Sequence, residues 1–147
     1  PAVIEEALLG HEAVAFAGAI GQPDKHSGEL PCVYVELVGG AKVTPEELDD
    51  FCKENVKEPG AQPKHVEILE ELPKTAVGKV FKPDLRKRAI MRVFSQTLSD
   101  SNVNASITSV DDDKKLGLVA NISSNEDEGV LNEALGEFSV PWQRAKN

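Results

Sequence analysis

The chain has 147 residues, which is enough for one domain or for one domain with a small appendage. Its formal net charge of −9 and its aromatic content of 5% argue against a nucleic-acid surface, because such surfaces are usually basic and use aromatic rings to stack on bases. No apolar run approaches the roughly 18 residues of a membrane span, and no signal peptide is visible, so we expect a cytoplasmic protein.

The pattern of apolar and polar residues in the first 98 positions predicts helices mixed with a small sheet. Apolar residues at helical spacing predict the helices, and alternating or short apolar runs predict the strands. Thr44, followed by Pro45 and by Glu47 three residues on, has the pattern of a capping box at a helix start. The expected fold class is α+β, a small mixed sheet with helices packed on it. The predicted elements are helix 2–9, strand 14–20, strand 32–38, helix 45–56, strand 65–71 and helix 83–98.

A polar cluster, residues 99–102, predicts a linker to a second part of the chain, residues 99–147. Its period-two apolar run predicts a half-buried strand whose partner includes Ala105 and Ile107, with the turn over 111–115. Asn125 and Glu128 predict the start of a helix that Pro141 closes, so the appendage is expected to be a β-β-α unit docked on the first part. A flexible acidic extension is the alternative. The side chains expected to face inward are Leu116, Leu118, Ala120 and Ile122 of the strand and Val130, Leu131, Ala134, Leu135 and Phe138 of the helix.

The residue types that bind metals are few and scattered. Cys32 and Cys52 are expected to be buried free thiols, as in cytosolic proteins. No Cys/His spacing fits a zinc site, so no metal site is predicted. His11, His26 and His65 stand far apart in the sequence, and none is a strong catalytic candidate.

The most informative segment is Leu72-Pro73-Lys74-Thr75-Ala76-Val77-Gly78-Lys79, which lies between a predicted strand and a basic helix. A Gly-Lys pair at such a bend puts an ammonium group on a tight turn. A phosphate-binding loop of the Walker type is excluded, because that motif needs glycine in place of Pro73 and Ser or Thr in place of Val80. A merely solvated Lys79 remains the plain alternative.

This segment resembles the C-terminal lysine motif of the AMP-forming acyl-CoA synthetases, the adenylate-forming family. Pro1-Ala2-Val3-Ile4-Glu5 is similar to the Pro-x-x-Ile-Glu segment that opens the C-terminal domain of that family. Pro83-Asp84-Leu85-Arg86 resembles the fatty-acyl-CoA synthase branch. The resemblance covers about residues 1–98, which are interpreted as the C-terminal, lysine-bearing domain, with residues 99–147 as an additional appendage.

The resemblance implies a function for the whole enzyme. A fatty or other carboxylic acid would react with ATP to give acyl-AMP, and the acyl group would then pass to coenzyme A. Lys79 would be the catalytic lysine of the first step and a target for regulatory acetylation, and Lys74, Thr75 and Gly78 would support the substrate- and ATP-facing loop. ATP, Mg²⁺ and coenzyme A are expected for the full-length ligase, with no cofactor held by this fragment.

The resemblance also implies a partner for this chain. A large adenylate-binding domain of the same polypeptide would lie upstream, and this fragment alone is expected to be inactive. The acyl specificity would belong to that absent domain. A non-catalytic interaction module that keeps the fold is the alternative function.

Overall fold

The computed structural model of the protein describes residues 2–58 and 60–145. Within these ranges the chain forms two compact units. The first comprises the residues up to Gly21 together with Leu30–Leu85, and the second comprises Gln22–Glu29 together with the residues from Arg86 onward. The elements in chain order are α1 (Ala2–Leu9), β1 (Val14–Asp24), β2 (Gly28–Leu37), α2 (Pro45–Asn55), β3 (Val66–Ile68), α3 (Lys82–Asp100), β4 (Ala105–Asp113), β5 (Gly117–Ser124), α4 (Glu128–Leu135) and β6 (Trp142–Arg144).

The first unit is built on a three-stranded sheet with the order β1-β2-β3. Strands β2 and β3 run parallel, with Val33 opposite Val66. Helix α2 begins as the sequence predicts, because the Thr44 side chain accepts a hydrogen bond of 3.1 Å from the Glu47 N–H. The mixed α+β fold is confirmed. One cluster of buried core residues in this unit consists of Ile4, Leu8, Val14, Ala17, Ala19, Val33, Val35, Leu48, Cys52 and Val56.

Strand β3 is shorter than the predicted strand 65–71, since it ends at Ile68. The Leu69 N–H still bonds to the Val35 carbonyl, but the Leu72 N–H bonds to the Glu36 carboxylate instead of a strand partner. The strand therefore ends at Ile68, and four residues later a side-chain contact to Glu36 holds the backbone at Leu72. Cys32 and Cys52 are both buried, as the sequence predicts.

Helix α3 extends through residues that the sequence analysis treats as a linker. It ends in a Schellman motif, in which the Val103 N–H bonds to the Leu98 carbonyl and the Asn102 N–H bonds to the Ser99 carbonyl. Asn102 has a φ of 55°, a left-handed conformation that asparagine tolerates at a helix end. The polar cluster is thus the last turn and cap of α3.

The second unit contains a three-stranded sheet with the order β4-β5-β6. Strands β4 and β5 are antiparallel and β5 and β6 are parallel. The predicted β-β-α unit is confirmed, and β6 follows it as a strand that the sequence analysis does not predict. The compact units divide within α3, and the family-domain boundary near residue 98 stays a prediction. The buried core of this unit consists of Ile90, Phe94, Leu98, Val110, Ala120, Ile122, Leu131, Ala134, Leu135 and Phe138.

Two inward-facing predictions in the second unit are wrong. Leu116 is 59% exposed, because it lies in the β4–β5 turn, where the Asp113 carboxylate accepts the Leu116 N–H. Val130 is 38% exposed on α4. The simple alternation of β5 also fails, since the four consecutive residues 119–122 are all buried.

Two predicted boundaries in the second unit are also wrong. The turn predicted over 111–115 is shorter, because β4 continues to Asp113. The N-cap of α4 is Asp127, not Asn125, and its side chain makes no capping bond. The Ser124 hydroxyl instead accepts the Glu126 N–H at 3.0 Å, and this contact shapes the turn before the helix.

Among the described residues, no helix is long and apolar enough to cross a membrane.

Candidate functional site

The predicted lysine motif forms a small hairpin, which we call the lysine hairpin and define as residues 73–81. Lys74 and Val80 pair in an antiparallel bridge at its base. A short loop with an isolated bridge keeps its shape only if its backbone groups are satisfied locally. Two of its backbone bonds run from the Thr75 N–H to the Lys79 carbonyl and from the Phe81 N–H to the Pro73 carbonyl, both 2.7 Å.

Thr75 and Gly78 shape the tip of the hairpin. The Gly78 N–H donates to the Thr75 carbonyl at 3.0 Å, and the Lys79 N–H donates to the Thr75 hydroxyl oxygen at 3.2 Å. Gly78 has a φ of 81°. A tight turn followed by a left-handed glycine is a common three-residue hairpin loop. Both residues therefore fix the backbone from which Lys79 projects, and their support of an ATP-facing loop stays a prediction.

Lys79 is exposed next to this turn. Within residues 2–58 and 60–145, no hydrogen bond or ion pair holds its ammonium group, whereas the Lys74 and Lys82 ammonium groups are both paired. The side chain of neighbouring Val77 is 81% exposed. The hairpin thus presents a free cation on a short, locally bonded loop.

Lys74 lies in a different environment from Lys79. Its ammonium nitrogen is 2.7 Å from Oε1 of Glu36 and 4.3 Å from the centre of the Phe16 ring. The same Glu36 oxygen accepts the Leu72 N–H at 3.0 Å. The hydrogen bond from Lys74 holds the pKa of the Glu36 carboxyl below its ordinary value of 4.5. Lys74 therefore ties the start of the hairpin to β2, and its predicted support of the ATP-facing loop stays a prediction.

A second carboxylate lies at the end of the hairpin. Oε2 of Glu5, on α1, is 2.9 Å from the Lys82 ammonium nitrogen and accepts the Ala19 N–H at 2.8 Å. Neither Glu5 nor Glu36 is predicted as a site residue from the sequence. The signal for Glu5 is its place in the Pro-x-x-Ile-Glu segment, whereas Glu36 is one of two acidic residues in β2 and gives no signal.

The three histidines make contacts that do not involve Lys79. His65 Nε2 lies 2.9 Å from Oε1 of Glu67. His11 Nδ1 accepts the Ala13 N–H at 3.0 Å. The His26 N–H donates to the Asp24 carboxylate at 3.1 Å. The histidines therefore have local structural contacts, and the candidate site is centred on Lys79.

Comparison with known proteins decides the family. The family described as the AMP-binding enzyme C-terminal domain matches residues 3–79, which is more than half of the chain and includes the lysine hairpin as far as Lys79. The chain belongs to this family. The match covers most of the first unit together with Gln22–Glu29, and the resemblance seen in the sequence is confirmed.

Several similar proteins are named as CoA ligases or CoA synthetases. A marinolic acid–CoA ligase of Pseudoalteromonas is 40% identical over 114 residues, 76% of this chain and 17% of the ligase. A long-chain-fatty-acid–CoA ligase of Bacillus subtilis is 44% identical over 90 residues, 61% of this chain and 15% of the ligase. A solved structure of o-succinylbenzoate CoA synthetase from Bacillus subtilis has a TM-score of 0.51 and 39% identity, over 58% of this chain and 17% of that chain.

The chain therefore spans about a sixth of the length of the relatives it matches. The match to the marinolic acid–CoA ligase is long enough to extend past residue 110 wherever it begins, so it includes part of β4. At least one relative thus shares sequence with the start of the second sheet.

Proposed function

We propose that this chain is the mobile C-terminal domain of an ATP-dependent acyl-CoA ligase and that Lys79 is its catalytic residue. The support is one observation: a family domain presents, on a short, locally hydrogen-bonded hairpin, an ammonium group that has no partner among the described residues. A lysine in such a position is a compact charge with three donors, suited to a site where negative charge develops.

The proposed first step joins a carboxylic acid to AMP. A carboxylate oxygen attacks the α-phosphorus of ATP, a new P–O bond forms, and the bond to pyrophosphate breaks. Two anions approach each other in this step, so a cation between them lowers the barrier. The Lys79 ammonium supplies that cation.

In the proposed second step, the thiol of coenzyme A attacks the acyl carbon of acyl-AMP, forms the thioester and releases AMP. We propose that the domain rotates between the two steps and carries the lysine hairpin away, as hinged domains commonly do. The ATP and Mg²⁺ would be held by the remainder of the polypeptide, and this chain would contribute the cation of the first step.

A fatty acid is the proposed first candidate for the acyl group. The long-chain-fatty-acid–CoA ligase is 44% identical to this chain over 90 residues. The relatives also include ligases named for marinolic acid and o-succinylbenzoate. A carboxylic acid is common to all three names. The acyl pocket would lie outside this chain, so the test of acyl specificity requires the whole enzyme.

The test separates the two half-reactions in the intact enzyme that contains this chain. Lys79→Ala should lower pyrophosphate release from ATP and a fatty acid by about 10²–10³-fold, because one preorganised charge is lost. Thioester formation from supplied acyl-AMP and coenzyme A should change less than about threefold, because Lys79 is absent from that step.

Lys114→Ala is the matched control. Lys114 is also an exposed lysine in a hairpin turn, but it lies in the β4–β5 turn of the second unit. It should leave both half-reactions unchanged. Equal losses of both half-reactions in Lys79→Ala, or no loss in either, would contradict the proposed role.

A further inference from the structure

We propose that Glu5 and Glu36 are positioning residues that hold the two ends of the lysine hairpin and so set the location of Lys79. This inference rests on the proposed function of Lys79, which it extends to two residues on α1 and β2. Neither carboxylate contacts the Lys79 side chain. Both act through the backbone of residues 72–82.

Glu36 holds the start of the segment by two contacts to one oxygen. Its Oε1 accepts the Leu72 N–H at 3.0 Å and lies 2.7 Å from the Lys74 ammonium nitrogen. The pair is largely shielded from water, since the side chains of Lys74 and Glu36 are 19% and 17% exposed. The Phe16 ring lies against the same ammonium and limits its movement further. Shielded contacts of this kind are screened less by salt than exposed ion pairs.

Glu5 holds the end of the segment in the same manner. Its Oε2 accepts the Ala19 N–H at 2.8 Å, which fixes the carboxylate on β1, and the Lys82 ammonium lies 2.9 Å away. Lys82 is the first residue of α3 and follows the hairpin directly. Glu5 is 20% exposed in this pair. One carboxylate thus bridges α1, β1 and the exit of the hairpin.

The two pairs also explain why only one of the three lysines in residues 74–82 remains available. Lys74 and Lys82 each have a carboxylate partner, and Lys79, between them, has none among the described residues. A flexible side chain reaches a reacting atom reliably only if its backbone is fixed, and a displacement of about 1 Å is enough to lower a rate by about 10²-fold. The internal bonds of the hairpin fix its shape, and these outside contacts fix its direction relative to α1, β1 and β2.

The experiment uses Glu5→Gln and Glu36→Gln in the intact enzyme, because glutamine keeps the size and removes the charge. Each variant should lower pyrophosphate release by about tenfold and leave thioester formation from supplied acyl-AMP within about twofold. Lys74→Met and Lys82→Met, which remove the other member of each pair, should give the same split. Glu71→Gln is the control. Glu71 is exposed beside the same hairpin, and its replacement by glutamine also removes one negative charge.

The decisive measurement is made in the Lys79→Ala background. If the carboxylates act through Lys79, adding Glu5→Gln or Glu36→Gln to Lys79→Ala should lower adenylation no further. A further tenfold loss in the double variants would overturn the inference, because it would mean that the carboxylates act by another route. Equal losses of both half-reactions in the single variants would also overturn it, since a general loss of folding has that effect.

The failure of this inference is distinguishable from failure of the proposed function. If Lys79→Ala leaves adenylation intact, the proposed function is wrong. If Lys79→Ala is impaired but the glutamine variants match Glu71→Gln, only the positioning role is wrong. Should a glutamine variant fail to fold, Glu36→Asp keeps the charge with a shorter reach. It should retain the fold and show a partial loss confined to adenylation, and full activity in it would count against the role of Glu36.

Discussion

A Cβ atom built on Gly18 would lie 2.5 Å from Cδ1 of Leu85 and 2.9 Å from Cγ1 of Val80. Both distances are shorter than carbon atoms tolerate without a shift, because non-bonded carbons prefer about 3.5–4.0 Å. The absent side chain of Gly18 thus lets β1 contact the last strand residue of the lysine hairpin and the first turn of α3. Here glycine is required by space and not by its backbone angles.

Gly18→Ala should therefore destabilise the protein by about 1–3 kcal/mol, as overpacked sites do. Adenylation should fall as well, because Val80 directly follows Lys79 and must move. Urea unfolding and pyrophosphate release measure the two effects. Gly39→Ala is the control, since a Cβ at Gly39 meets nothing within 4 Å. If the two alanine variants unfold at the same urea concentration, the packing argument is wrong.

Gly78→Ala tests the shape of the hairpin tip. The φ of 81° at this position places an alanine side chain in strain, which costs about 1–2 kcal/mol. Gly78→Asn should cost less, because asparagine enters this conformation more readily. The adenylation rate, measured as pyrophosphate release at saturating ATP, should decrease in the order wild type, Gly78→Asn, Gly78→Ala. An alanine variant as active as the wild type would show that the turn does not constrain Lys79.

Ile122→Ala tests the core of the second unit. Ile122 is fully buried on β5, so the substitution should cost about 2–5 kcal/mol of that unit's stability. Leu116→Ala removes a similar side chain from the exposed turn of the same hairpin and should change stability by less than about 0.5 kcal/mol. Hydrogen exchange of the β4–β5 amides reports on this unit separately. Similar exchange rates in both variants would contradict the described burial.

The buried thiol of Cys52 should lower the free energy of unfolding at alkaline pH. Burial raises the pKa of this thiol from 9.0 to about 11. Above pH 9 the unfolded chain releases the thiol proton while the folded chain retains it, so unfolding becomes more favourable as the pH rises from 9 towards 11. The loss is about 1 kcal/mol at pH 10. Cys52→Ala should remove this part of the pH dependence, although it lowers stability at every pH. Urea unfolding at pH 7.5 and pH 10 gives the change in the free energy of unfolding between the two pH values. The same change in the wild type and in Cys52→Ala would contradict the prediction.

Most elements could be predicted from local sequence because their signals are local. The Thr44 cap, the period of α1 and the basic helix after Pro83 all depend on neighbours within a few residues. The ends of elements were harder to predict. Strand β3 ends at Ile68, and beyond it Leu72 is held by the side chain of Glu36, 36 residues away in sequence. The exposed Leu116 follows from the Asp113 turn, which overrides the apolar alternation.

The sequence by itself determined the family and the lysine that the hypothesis depends on, because the run from Leu72 to Lys79 is contiguous and needs no long-range contact to be read. It also placed a glycine, Gly78, directly before that lysine and so predicted a tight turn there. Only the tertiary structure decided which lysines are available, since pairing depends on carboxylates brought together from α1 and β2. The sequence shows which residues are charged. Whether a lysine is paired depends on its distance from a carboxylate, and for residues remote in sequence only the folded chain sets that distance.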